Sequence, residues 1–445
     1  LSKHCQWVYL PAIKDPTEEQ DEQRNSALGK LLQRSIRAQI DFSESITELQ
    51  REARDKYEEI LNAQNSALDE IGASIQDRLR EWSHPGARVE LGWHLDEKKS
   101  VTVADPYARV KVGEGGFLGE IVRTGHGMQR SFLIALLQVL ASIDDESRPT
   151  LLLGFEEPEL YQHPPQAKHL ANLLEGLSNQ DTQAIITTHS PYFVSSNGYE
   201  NIRLFSLPEG STESTVSQIT LDELSRIIAT ALGSAPQHPS SLMAAVEQIM
   251  QPSQNELFFC KVPILVEGPE DVAFISAYLT HTGKWSDFRR FGCHFVVCEG
   301  KTNMSRPLAI ANGLNLPAFV VFDGDCDRDD LTEHRRDNGC LISLLNESTD
   351  SIIKEPFFGQ RSVIWNTRIF DAICNDVGQD IWSNAENDAR EKYNLQAGVR
   401  RKNPVLITAT LEKLLSDGVG FALLDQLCEN LLAYAESQSI VDEKA

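Results

Sequence analysis

Two apolar runs that each end in a cluster of acids constrain this chain most. Val262-Pro263-Ile264-Leu265-Val266 runs into Glu267-Gly268-Pro269-Glu270-Asp271, and Ala318-Phe319-Val320-Val321-Phe322 runs into Asp323-Gly324-Asp325-Cys326-Asp327. A continuous apolar run bounded by glycine predicts a strand covered on both faces of a parallel sheet. The open crevice of such a sheet lies beyond the carboxyl ends of its strands, so both clusters point into one crevice. Carboxylates packed within a few Å cannot all stay ionised without a cation, and hard oxygen donors favour Mg²⁺ or Mn²⁺. Phosphoryl transfer with one or two divalent ions suits such a site.

At 445 residues the chain is too long for one core and predicts two or three domains, with 41% hydrophobic residues to build them. No run of eighteen apolar residues and no N-terminal signal segment occurs, which argues against a membrane span or visible export. The eight cysteines are scattered without a Cys-x-x-Cys pair. They fit thiols in a reducing cytoplasm, mostly in the core, better than a disulfide frame or a zinc site. A net charge of −24 and a pI near 4.9 argue against a general nucleic-acid coat. Any DNA contact must be local and metal-assisted.

Along the chain, a short apolar stretch at Trp7 to Leu10 precedes a charged segment at 17–83 that is nearly free of Gly and Pro. There Leu28, Leu32, Ile36 and Ile40, then Ile46, Leu49, Ala53, Tyr57, Ile60, Leu68, Ile71, Ile75 and Leu79 recur at helical spacing. Two readings stay open: a solvated helical hairpin on its own domain, and a dimerisation arm. Residues 87–112 alternate like strands. From Arg123 to Leu207 helix and strand patterns alternate as in an α/β layer, with a helix from Met128 to Ile143, a strand from Thr150 to Phe155, a helix from Pro165 to Leu177 and a strand from Gln183 to Thr187. A polar stretch with Gly210-Ser211-Thr212 and Gly233 to Ser241 predicts a linker over 211–260. A second α/β unit begins at Lys261, and helical patterns close the chain at Val405 to Leu415 and Phe421 to Tyr434.

Within the first α/β layer, Glu156-Glu157-Pro158-Glu159 follows one buried strand, Thr187-Thr188-His189-Ser190 follows the next, and Gly125-His126-Gly127-Met128-Gln129 opens a helix. Singly, these are an ordinary solvated turn, a core histidine and a glycine cap. Together and in this order they resemble an ABC-type ATPase head: signature loop, Walker B strand, D-loop and switch histidine. The resemblance implies Mg²⁺ held by Glu156, attacking water polarised by Glu157, the γ-phosphate sensed by His189, and nucleotide contacts at Gly125, Gly127 and Gln129. No Gly-x-x-x-x-Gly-Lys-Ser/Thr loop occurs in the sequence, and the chain starts at Leu1 without Met. The expectation is therefore a head incomplete at its N-terminus, with ATP bound only when an upstream lobe is present.

The second unit resembles the Toprim domain of topoisomerases, primases and nucleases, whose pattern is Glu-Gly after one strand and Asp-x-Asp after a later one. Here these are Glu267-Gly268 and Asp323-Gly324-Asp325. The resemblance implies Asp323 and Asp325 as metal ligands, Glu267 as ligand or general acid/base, and Glu270 and Asp271 as ligands for a second ion. The alternative, that such acids only cap helix N-termini, accounts for Asp271 but not for Asp323 and Asp325. Between them, His294 to Cys298 predicts a strand ending at Glu299-Gly300-Lys301, where Lys301 is placed for a DNA phosphate contact.

An ABC-type head joined to a C-terminal Toprim domain resembles the OLD (overcoming lysogenisation defect) family, ATP-dependent nucleases of bacteria and phages that include Gabija-type antiviral nucleases. The resemblance implies an ABC-type head (1–16 and 84–210), a helical insertion (17–83), a Rossmann-like Toprim nuclease domain (261–415) and a C-terminal helix (416–445). It implies a Mg²⁺- or Mn²⁺-dependent DNA endonuclease with two ions, regulated by ATP at the head, in anti-phage defence or DNA processing. A homodimer or higher homo-oligomer follows, because ABC-type heads present the signature loop of one copy to the nucleotide of another. A helicase or other defence partner is left open. A basic residue beyond the acids should offset transition-state charge, and Lys402 in Val399-Arg400-Arg401-Lys402 is the candidate, with Arg400 and Arg401 beside it for DNA. The alternatives are a topoisomerase or primase, and a non-cleaving SMC-like scaffold. No recognisable nucleophilic-tyrosine domain or primase zinc site supports the first.

Overall fold

The computed structural model describes residues 5–12, 40–82, 85–86, 88–93, 102–103, 110–141, 150–178, 182–194, 196–207, 211–395 and 402–441. Ile36 and the insertion up to residue 39, together with Arg400 and Arg401, lie outside them. The chain divides into two compact units, Leu1–Thr188 and His189–Ala445.

In the first unit β1 (Cys5–Leu10), β2 (Thr150–Glu156) and β3 (Thr182–Thr187) form a parallel sheet with β2 in the middle. Register pairs Leu10 with Phe155 and Glu156 with Thr187, so the acidic end of β2 lies beside the Thr-His end of β3. Alternate residues face opposite ways. Val8, Leu10, Leu151, Leu153 and Phe155 are buried, as are Leu170, Leu174 and Leu177 of the helix between β2 and β3 (Pro164–Ser178), whereas Trp7, Tyr9 and Ile185 are exposed. The insertion forms two helices in the described residues, α1 (Ser43–Asn62) and α2 (Asn65–Trp82). Leu49, Tyr57, Ile60, Ile71 and Ile75 on them are exposed. The strands expected over 87–112 shrink, among the described residues, to Lys111–Val112 paired with Gly119–Glu120.

In the second unit five strands are ordered β7–β8–β6–β4–β5, where β4 is Val262–Val266, β5 Cys293–Val297, β6 Phe319–Asp323, β7 Phe357–Phe358 and β8 Ser362–Trp365. Only β7 is antiparallel. Val262, Ile264, Val266, Phe319 and Val321 pack into one core, with helices from 269 to 281 and from 404 onward. Leu265, Val320 and Phe322 pack into the other. Both faces are covered, which explains why β4 and β6 are continuous apolar runs.

The expected linker is a correction. Leu221–Leu232 and Pro239–Ile249 are helices whose Leu224, Ile228, Leu242 and Val246 are buried in the same core as Leu265 and Phe322. Leu242→Ala should therefore cost about 2–5 kcal/mol of unfolding free energy, as for any buried leucine, and thermal or urea unfolding reads it directly. A linker position would change by about 0.5 kcal/mol or less. None of the eight cysteines is in a disulfide, and five of them are buried. Among the described residues no helix is long and apolar enough to cross a membrane.

Candidate active site

The second unit's acids gather where β4 and β6 end. Glu267 follows β4, and its Oε1 accepts the Asp323 N–H from the neighbouring strand at 2.6 Å. The chain then turns at Gly268 into a helix (Pro269–His281) whose Asp271 Oδ2 reaches back to the Gly268 N–H at 2.8 Å. Asp271 thus caps that helix, as the simpler alternative foresaw, but it does so at 1% exposure. Asp323 is 6% exposed, and its Oδ1 accepts the Ile369 N–H at 3.0 Å. Gly324 has no room for a side chain: a Cβ there would stand 2.4 Å from the Trp365 carbonyl.

These acids repel one another. Burial pushes Glu267 up to about 6, against the Asp323 N–H and Lys301, with Asp325 and Glu270 adding to the rise. Burial likewise raises Asp271 to about 8, with help from Glu267 and Glu270. Asp323 rises well above the carboxylate range through burial, then through Glu267 and Asp271. Asp325 differs: burial alone would raise it, but the Lys301 hydrogen bond and charge, with His334 and Arg328, hold it low.

Among the described residues no three acid, histidine or cysteine side chains are gathered as a formed metal site. Two ammonium groups lie among these acids. Lys301 Nζ lies 2.8 Å from Asp325 Oδ2, with His334 and Arg328 also on Asp325, and Lys402 bonds Glu270 Oε1. The donor set nevertheless fits a hard divalent ion: all oxygen and crowded, with Glu267, Asp271 and Asp323 raised in pKa and Glu270 Oε2 buried without a hydrogen-bond partner. Lys301 departs from expectation. It is 6% exposed inside the site, not over an open crevice. The sequence carried a signal for this, since a lysine in the first turn of a helix (Lys301–Gly313) opposes the helix dipole. His334, Arg328 and the Ile369 N–H were not foreseen.

The raised acids set a pH dependence. With folded pKa values above the unfolded ones, Glu267, Asp271 and Asp323 make the native state bind more protons, so their stabilisation is complete below the unfolded values of 4.5 and 3.8. It is lost as pH rises through about 6 for Glu267 and about 8 for Asp271. In chelator, the melting temperature should fall from pH 5.5 to 8.5, and saturating Mn²⁺ should shrink that fall. A rise over that range without metal would contradict the cluster's electrostatics.

In the first unit, Glu156 Oε2 accepts from Tyr9 Oη at 2.8 Å and from Ala12 N–H at 3.2 Å, and these bonds hold its carboxyl low. Glu157 sits in the left-handed region at φ 42, its N–H bonded to the Thr187 carbonyl at 2.8 Å. Thr188 Oγ1 donates to Glu159 at 2.8 Å. Gly125 precedes the helix His126–Ala141, the Gln129 side chain donates to the Thr124 carbonyl at 2.9 Å, and His126 stacks on Tyr161 at 4.9 Å. The Gly125 loop and the Pro158 to His163 turn are thus neighbours. His189 is exposed and belongs to the second unit.

A largely parallel sheet with acids beyond its strand ends thus follows, in the chain, a separate parallel sheet whose middle strand runs into Glu156-Glu157. The family model for an AAA ATPase domain matches residues 1–194, and that for the Overcoming lysogenization defect protein-like TOPRIM domain matches residues 258–325. The chain therefore carries an AAA-type ATPase domain followed by an OLD-like TOPRIM domain and C-terminal helices. It is similar to the Old nuclease of Escherichia phage P2, 26% identical over 410 residues and covering 87% of this chain and 64% of that protein. It is also similar to the OLD nuclease of Thermus scotoductus, 21% identical over 341 residues and covering 73% and 58%. The chain thus spans about three-fifths of the length of these relatives. The solved C-terminal region of the Burkholderia pseudomallei OLD protein matches 41% of this chain and 99% of its own, at 15% identity and a TM-score of 0.26.

Proposed function

We propose that this chain is a metal-dependent DNA endonuclease whose TOPRIM site hydrolyses phosphodiesters under the control of its ATPase domain, in anti-phage defence or DNA processing. The observation that carries this is a set of three mutually repelling acids where two adjacent parallel strands end: buried Asp271 and Asp323, and half-buried Glu267. With Asp325 and Glu270 they would hold Mg²⁺ or Mn²⁺, which supplies charge stabilisation to the attacking and leaving oxygens. Lys402, half-exposed on Glu270, stands where a cation can meet the phosphate. Arg400 and Arg401, which lie outside the described residues, are proposed for DNA contact from their place in the sequence beside Lys402.

For the ATPase domain, the support is the match over 1–194 and the motif order. Glu156 would hold Mg²⁺, Glu157 would polarise water, His189 would sense the γ-phosphate, and Gly125, Gly127 and Gln129 would face the nucleotide of a second copy. That ABC-type geometry makes a homodimer part of the proposal. The test is cleavage of end-labelled linear duplex by residues 1–445 with Mn²⁺ or with EDTA: fragments only with Mn²⁺ support it, and intact duplex in both removes it.

A further inference from the structure

The Asp323-Gly324-Asp325 turn is held from several sides. Gly324 N–H donates to the Trp365 carbonyl at 2.7 Å, Cys326 N–H to the Asn366 carbonyl at 2.9 Å, and Asn338 Nδ2 to the Gly324 carbonyl at 3.0 Å. Asp325 closes the turn in the left-handed region, at φ 51. Beneath it lies Lys301, whose Nζ donates to the Asp323 carbonyl at 2.6 Å and to Asp325 Oδ2 at 2.8 Å. Arg328 and His334 also touch Asp325, at 3.4 and 3.2 Å, but their side chains are 47% and 30% exposed against 5% for Lys301. Water can replace the first two and cannot replace the third. Burying an ammonium is costly, and so is placing one in a helix's first turn.

We propose that Lys301 is a positioning residue for divalent-ion binding, fixing the Asp323-Gly324-Asp325 turn, and with it the Asp323 and Asp325 carboxylates, before an ion arrives. This deepens the metal-dependent reading above and rests on it. Two effects of removing Lys301 have opposite signs. By charge alone, loss of a cation beside the acids tightens a divalent ion. By positioning, the ion must itself order the turn, and affinity falls. The bond to the Asp323 main-chain carbonyl decides for positioning, because a mere counter-ion has no need to brace backbone.

The test uses Lys301→Met in the full 445-residue chain, with Mn²⁺ affinity by calorimetry below the melting temperature and melting measured in EDTA. The expected result is Mn²⁺ binding weaker by about 10–100-fold, as for the loss of a partner that orients a ligand, and a lower metal-free melting temperature. Unchanged or tighter binding by the folded variant overturns the proposal. If Lys301→Met does not fold, Lys301→Gln is measured in its place, and Mn²⁺ binding by the folded variant that equals or exceeds that of the unaltered chain overturns the proposal. Mn²⁺ binding without DNA cleavage would remove only the nuclease, whereas an unaltered chain that binds no Mn²⁺ removes both.

Discussion

Glu267→Gln and Asp323→Asn should each bring Mg²⁺- or Mn²⁺-dependent DNA cleavage below about one-hundredth of the starting rate, since even partners that only orient ligands cost 10–100-fold. Their metal-free melting temperatures should stay level or rise. The acids oppose one another in a buried site, so removing one ionisable group relieves repulsion. The amides keep the acceptor oxygens that serve the Asp323 and Ile369 N–H groups. The alanine variants should lose cleavage equally but melt lower than the amides. Each strands a main-chain N–H, at a cost of about 1–3 kcal/mol. Wild-type cleavage by a folded Asp323→Asn or Glu267→Gln variant would remove the TOPRIM chemistry and favour the non-cleaving scaffold.

Lys402→Ala should slow cleavage by about 10²–10³, the range for removing one preorganised group that meets developing charge. Mn²⁺ affinity should not weaken. The variant leaves Glu270 without its ammonium partner, beside Glu267 and Asp271, which makes the site more negative and no less attractive to a divalent ion. Steady-state cleavage at saturating Mn²⁺, paired with calorimetry, separates the two quantities. A loss of metal affinity would recast Lys402 as structural.

How much was legible in the sequence follows from what each residue type could conceal. β4 and β6 were plain because both their faces are buried, leaving no polar alternation to blur them, and the acids at their ends stand out against five apolar residues. The helices at 221–249 were not. Gly233, left-handed at φ 62, closes one helix, and Pro239 opens the next. Those punctuation residues mark boundaries between packed helices as readily as a linker. Glu267, Glu270, Asp271, Asp323 and Asp325 could be placed in one crevice from the sequence because both acid clusters follow apolar runs, and the carboxyl ends of parallel strands open on the same side. That Asp325 turns to Lys301, His334 and Arg328 depends on side-chain direction in a left-handed turn, which spacing does not encode.

The most direct measurement is incubation of supercoiled plasmid with residues 1–445 and Mg²⁺ or Mn²⁺, beside Asp323→Asn. Nicked or linear product from the unaltered chain, and none from the variant, is the expected result. A ladder of relaxed circles would instead indicate a topoisomerase. Plasmid left intact by both would contradict a nuclease at Glu267, Asp271 and Asp323.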